Sequence, residues 1–131
     1  MAKTNPWAKI KDLTNDLVPP VAVLREQAQL LSAATDGVVQ GDVQKESSGQ
    51  TMIYRLRATV PVLDYYAVEL VRVAHEVTVY PCKVRSDYVE IPSPHYYDCA
   101  NRDELEDRLA AILADDTIQE IVASLIVQAT G

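Results

Sequence analysis

With 131 residues and a net charge of −7, the chain has the length of one domain and the wrong sign for non-specific nucleic-acid binding. Apolar residues make up 48% and charged residues 24%, a globular composition that excludes disorder. The longest mostly apolar run, Ile118 to Ala129, is too short and too amphipathic to span a bilayer, so no membrane partner is expected.

The aromatic content is skewed, with no Phe, one Trp and seven Tyr. Tyr keeps one end wet, so half-buried rings at the core edge are expected. The first dozen residues hold no apolar stretch of the secretory-leader kind, and Cys82 and Cys99 have neither CxxC nor any other ligand spacing. A cytoplasmic chain with free thiols and no Cys82–Cys99 disulfide is the expectation. Charge is unevenly spread. From Asp98 onward eight acids face two bases, a net of −6, which leaves −1 for everything before.

Taken in order, Asn5-Pro6 starts a short helical turn carrying Trp7, Ile10 and Leu13. Pro19-Pro20 ends it and launches the first long helix, with Leu24, Ala28 and Leu31 as its stripe and Gly37 as its cap. Val38–Lys45 and Thr51–Val60 alternate and form a hairpin around a Glu46–Gln50 turn. With Glu46 opposite Thr51, Val43 faces Tyr54, Gly41 faces Leu56 and Val39 faces Ala58, all on one face. Gln40, Asp42, Ile53, Arg55, Arg57 and Thr59 then occupy the polar face, with Asp42 opposite Arg55 and Glu69 nearby.

Tyr66–Ala74 is apolar on both sides and therefore central, which leaves the face of Arg72 unassigned. A turn at His75-Glu76 leads to a fourth strand, Val77–Arg85, edge or bulged where Pro81 cannot donate. Tyr88–Ile91 adds a short fifth piece, and Pro92–Pro94 is a linker. Capping boxes at Asn101/Glu104 and Thr117/Glu120 open two helices. Their stripes are Leu105, Leu109, Ile112 and Leu113, then Ile118, Ile121, Val122, Leu125, Ile126 and Ala129. The fold class is α+β: an antiparallel meander of four strands, or five, with one preceding and two following helices packed on one face. Residues 1–18 are an N-terminal arm and 19–131 a single domain.

Chemistry has few places to reside. His95-Tyr96-Tyr97-Asp98-Cys99 is the densest polar and aromatic segment. His95 could serve as a base oriented by Asp98, with Cys99 as a nucleophile near a helix N-terminus. The plainer reading is a loop whose tyrosines lie over the core edge. His75, Cys82, His95, Asp98 and Cys99 are zinc-compatible ligand types, but the spacing does not announce a site and no metal or cofactor is expected. Arg55 and Arg57, two apart on a strand, project together and could dock an acidic partner, with Lys83 and Arg85 further across. The commoner outcome for such charges is a solvated, ion-paired face, and reversing both should then barely affect folding.

The reading these features favour is a non-catalytic protein-binding or adaptor module, its partner another protein, with a homodimer as one form of that. The alternatives are a small-ligand binder or enzyme with a Tyr-lined pocket near His95, and a structural subunit of a larger assembly. The small, acidic, α+β profile is similar to that of bacterial secretion chaperones, a likeness of composition carried by no motif.

Overall fold

The computed structural model describes residues 4–131. Its elements run α1 (Ile10–Asp16), α2 (Pro20–Ala34), β1 (Gln40–Ser48), β2 (Thr51–Val60), a 3-10 turn (Pro61–Leu63), β3 (Tyr66–His75), β4 (Cys82–Arg85), β5 (Tyr97–Cys99), α3 (Arg102–Leu113) and α4 (Asp116–Thr130). The strands form one antiparallel sheet in the order β1-β2-β3-β4-β5. The fold is therefore the α+β meander the pattern called for, with five strands and with β3 at its centre.

The first hairpin is tighter than the sequence reading. Ser48 pairs with Thr51, so the turn is only Gly49-Gln50. Gly49 alone of the two has positive φ, the requirement of a type II′ turn, whose twist matches its strands. The register moves by two: Val43 faces Leu56, Gly41 faces Ala58 and Asp42 faces Arg57. An even shift leaves every side chain on its face. Tyr54, Leu56, Ala58 and Val60 are indeed buried beneath the helices.

Three other expectations are corrected. Tyr88–Ile91 is not a strand; the fifth strand is Tyr97–Cys99, laid antiparallel on β4. The fourth strand begins only at Cys82, after Pro81, and lies between β3 and β5 rather than at an edge. Pro81 thus stays outside the ladder, where its missing N–H costs nothing. His75 closes β3 instead of sitting in a turn. Between Leu56 and Arg57 the β2–β3 register slips, leaving Leu70 as the extra residue of a bulge. The bulge turns both Leu70 and Val71 toward the core and settles Arg72, which pairs with Arg55 and Arg85 on the open face.

The helical layer follows its stripes. Val23, Leu24 and Ala28 of α2 and Leu105, Leu109 and Ile112 of α3 share one core cluster with Tyr54, Leu56, Val71 and Val73. Ile118 and Leu125 of α4 build a second with Val39, Ala58, Val60 and Leu70. Asn101 caps α3 by accepting from the Glu104 N–H at 3.0 Å, while Glu104 reaches back to the Ala100 N–H. The cap of α4 is Asp115, which accepts from the Thr117 N–H, so this helix starts two residues before the expected Thr117 box. Among the described residues no helix is long and apolar enough to cross a membrane.

Candidate functional site

Strand periodicity decides the fate of the His95–Cys99 segment. Because Tyr97–Cys99 is a strand, Tyr97 and Cys99 point into the core while Asp98 points out, opposite Lys83. The imagined acid and nucleophile therefore lie on opposite sides of the sheet. Tyr97 is covered by the Arg108 guanidinium, 4.0 Å from its centroid, and Tyr96 by the Lys83 ammonium at 4.8 Å. His95 stands apart again. Its Nδ1 lies 3.2 Å from the Ile91 carbonyl, and its ring borders a cavity of about 350 Å³ shared with Arg85, Ser86 and Glu90.

Cys99 is buried and sits directly opposite Cys82, itself opposite His75. These three form a straight row across three strands. Neighbouring strands are about 4.8 Å apart, so the outer members are about 10 Å apart, too far to share one tetrahedral ion. Among the described residues no group of three metal-ligating side chains converges. His75 instead stacks on Tyr54, ring centroids 5.6 Å apart, and its Nδ1 meets the Glu76 carbonyl at 2.6 Å.

Burial keeps both thiols protonated, the reverse of what a nucleophile needs. It raises Cys82 from the ordinary 9.0 to about 12, with the adjacent Cys99 adding to the effect. Cys99 is raised for the same first reason, and then by Glu104. Tyr80, whose hydroxyl donates to the Val18 carbonyl at 2.8 Å, is likewise pushed by burial from 10.0 to about 12. A thiol reagent at about pH 8 is expected to spare both cysteines in the native protein and to modify both after denaturation. The pH dependence has a definite sign. Above pH 9 the unfolded chain releases the Cys82 proton while the folded chain holds it to about 12. Stability from this group is complete below pH 9 and falls across that window. Denaturation midpoints that rise between pH 9 and 11 would contradict this assignment.

The open face of the sheet carries Arg55, Arg57, Arg72, Lys83 and Arg85, so the sequence placed its two arginines on the right side. They are not free. Arg55 pairs with Glu46 and, through Nε at 2.9 Å, with Glu69. Glu69 also takes Arg72 at 3.0 Å, and Asp87 takes Arg85 at 3.0 Å. Arg57 donates to Asp42 through Nε at 3.1 Å and again through Nη2. Asp42 thus serves Arg57, its partner in the shifted register, and not Arg55. Charge reversal at Arg55 and Arg57 would set new carboxylates against Asp42, Glu46 and Glu69. Folding would suffer more than isolated surface charges imply, because the side chains of Arg55, Arg57 and Glu69 are about three-quarters covered.

The feature that sequence reasoning missed lies in the helical layer. Helix α3 packs on α2 and on α4. Although Leu31 of α2 reaches the cluster of Ile118 and Leu125, α2 and α4 do not pack closely on each other. Between them runs a groove of about 400 Å³ with no charged residue in its lining. Its walls are Leu30, Leu31 and Ala34 of α2 and Val122, Ala123 and Ile126 of α4; Leu56 and Leu70 form its floor. Both stripes were legible, yet their separation depends on how the sheet twists beneath them. Leu30, exposed at the rim, was the one available signal, an apolar residue flanking the buried stripe. Compared with known proteins, the chain matches no family model, no curated protein and no solved structure, so its surfaces are read from its own residues.

Proposed function

We propose that this chain is a non-catalytic protein-binding module that accepts an amphipathic helix in the groove between α2 and α4. The observation that carries the reading is the groove itself: uncharged, mainly apolar along both walls and floor, with Gln27, Thr35 and Gln119 as its polar residues, and open between two helices. Helix-in-groove recognition uses such a surface, seating residues at i, i+3, i+4 and i+7 between two helices. An apolar cleft left open in a chain of net charge −7 is also unlike ordinary solvent-facing surface. The ion-paired sheet face with Arg55 and Arg57 is the competing docking surface.

Two full-length variants separate them. Ala123→Arg puts a long cation into the groove from an exposed helical position and should leave the fold intact. Arg55→Gln with Arg57→Gln removes the sheet cations without the repulsion of a reversal. Affinity capture from the native host is expected to lose its specific partner with Ala123→Arg and keep it with the double Gln variant. The opposite pattern would move binding to the sheet face, and capture unchanged by Ala123→Arg would remove the groove from the account. A small-ligand reading is favoured by one observation, the cavity of about 350 Å³ beside His95, which falls in the range of ligand pockets. Its polar groups are Arg85, Ser86 and Glu90 rather than tyrosines.

A further inference from the structure

We propose that the groove between α2 and α4 receives the N-terminal segment of a second copy of this chain, so that two copies exchange arms. This rests on the helix-binding reading above and names an occupant for it. The segment is amphipathic and unpartnered. Trp7, Ile10, Leu13 and Leu17 are 71%, 47%, 58% and 55% exposed, and α1 buries no residue at all. Ile10 and Leu13 lie at i, i+3 on α1, flanked by Trp7 in the turn before it and by Leu17, the extended residue at its end. A seven-residue helix is marginal in water, so its stripe has to be buried for α1 to persist.

Dimensions and charge fit the same pairing. Helix α1 from Ile10 to Asp16 runs about 9 Å, against about 10 Å of α4 from Gln119 to Ile126 along the groove. The segment to Val18 has three lysines and two aspartates, +1, and the remainder of the chain is −8. Lys9 and Lys11 flank the stripe, and Asp115 and Asp116 stand one turn beyond Gln119 at the end of the groove. Opposite charge at the rim of an apolar contact sets orientation and speeds encounter.

A second copy is the better donor than the same chain. The groove lies along Gln27–Ala34, while the arm leaves the body at Val18, before the start of α2. Val18 is held there by Tyr80, and Pro19 and Pro20 follow it at once. To reach its own groove the arm would have to double back within Leu17–Pro19 and break that anchorage. An arm from a partner copy needs no such rearrangement, and the exchange is reciprocal about a two-fold axis.

The test uses full-length chains and the single tryptophan. Light scattering at about 50 μM, well above a micromolar dissociation constant, should report a dimer for the wild type. Leu13→Asp, in the wholly exposed α1, and Ala123→Arg, in the groove, should each be monomeric while keeping the wild-type circular dichroism. Mixed in equal amounts, the two variants should recover a dimer, because one retains an intact arm and the other an intact groove. Trp7 emission should move to shorter wavelength on assembly. A monomeric wild type, a variant that keeps the dimer, or a mixture that stays monomeric would each overturn the exchange. Blue-shifted Trp7 in a monomeric wild type would place the arm in its own groove and also overturn it. A monomeric wild type whose external partner is still lost with Ala123→Arg removes the exchange and leaves the binding reading standing.

Discussion

Gly41→Ala is expected to lower the folding free energy by about 3 kcal/mol, at the upper end of what overpacking costs. Gly41 lies on β1 where α2 crosses it, and its N–H donates to the Ser32 hydroxyl at 2.9 Å. A Cβ built there would fall within 3.0 Å of the Ala28 Cα, carbonyl carbon and oxygen. Those are backbone atoms, so no rotamer change relieves the contact; α2 must lift off the strand. The gain from a less flexible unfolded chain, about 0.4–1 kcal/mol, is too small to compensate. Two controls fix the cause. Ser32→Ala should cost about 1 kcal/mol, the price of one hydrogen bond to a part-buried N–H. Adding Ala28→Gly should not rescue Gly41→Ala, because the clash is with the main chain of residue 28 and not with its methyl group. Urea denaturation measures all three, and a Gly41→Ala midpoint equal to wild type would mean that α2 and β1 do not touch.

That close approach was partly legible, since glycine inside an alternating strand marks a bulge or a neighbouring backbone. Which backbone was not, because no residue of α2 announces that Ala28 will lie over Gly41. The same division runs through the molecule. Faces were readable from period two and survived a register error at Glu46/Thr51, because the error was even. Arg72 was unreadable because the bulge at Leu70 inserts an extra residue into a strand with no polar alternation to reveal it. The fifth strand was missed since three residues are too few for a pattern, and His95–Cys99 was read as one cluster when a strand splits it. The groove was beyond reach altogether. A stripe tells which residues of α2 and α4 turn inward, whereas the gap between two helices is set by the sheet and by α3 beneath and beside them.

Leu109→Ala should fall in the upper half of the range of about 2–5 kcal/mol for core leucines, and Leu125→Ala in the lower half. Leu109 is 0% exposed and lies in a cluster with α2 and the sheet, so its loss leaves a void that cannot readily collapse. Leu125 is 3% exposed but borders an open cavity of about 350 Å³ with Tyr66, Tyr88 and Ile121. Side chains around an open cavity can close over a lost methyl group, which reduces the cavity term. Ile121, half-buried on the same helix, should cost less again, about 1 kcal/mol. The ranking matters for binding as well as for stability. Helix α4 forms one wall of the groove and is fastened to the sheet mainly through Ile118 and Leu125, in a smaller cluster than the one that holds α2 and α3, joined to it where Leu113 and Val89 pack against both. A wall held by its own small cluster can shift to admit a helix without disturbing the main core. Hydrogen exchange should therefore find α4 opening at lower free energy than α3. Equal losses at Leu109 and Leu125, together with equal protection of the two helices, would mean that the clusters are one core and the groove is rigid.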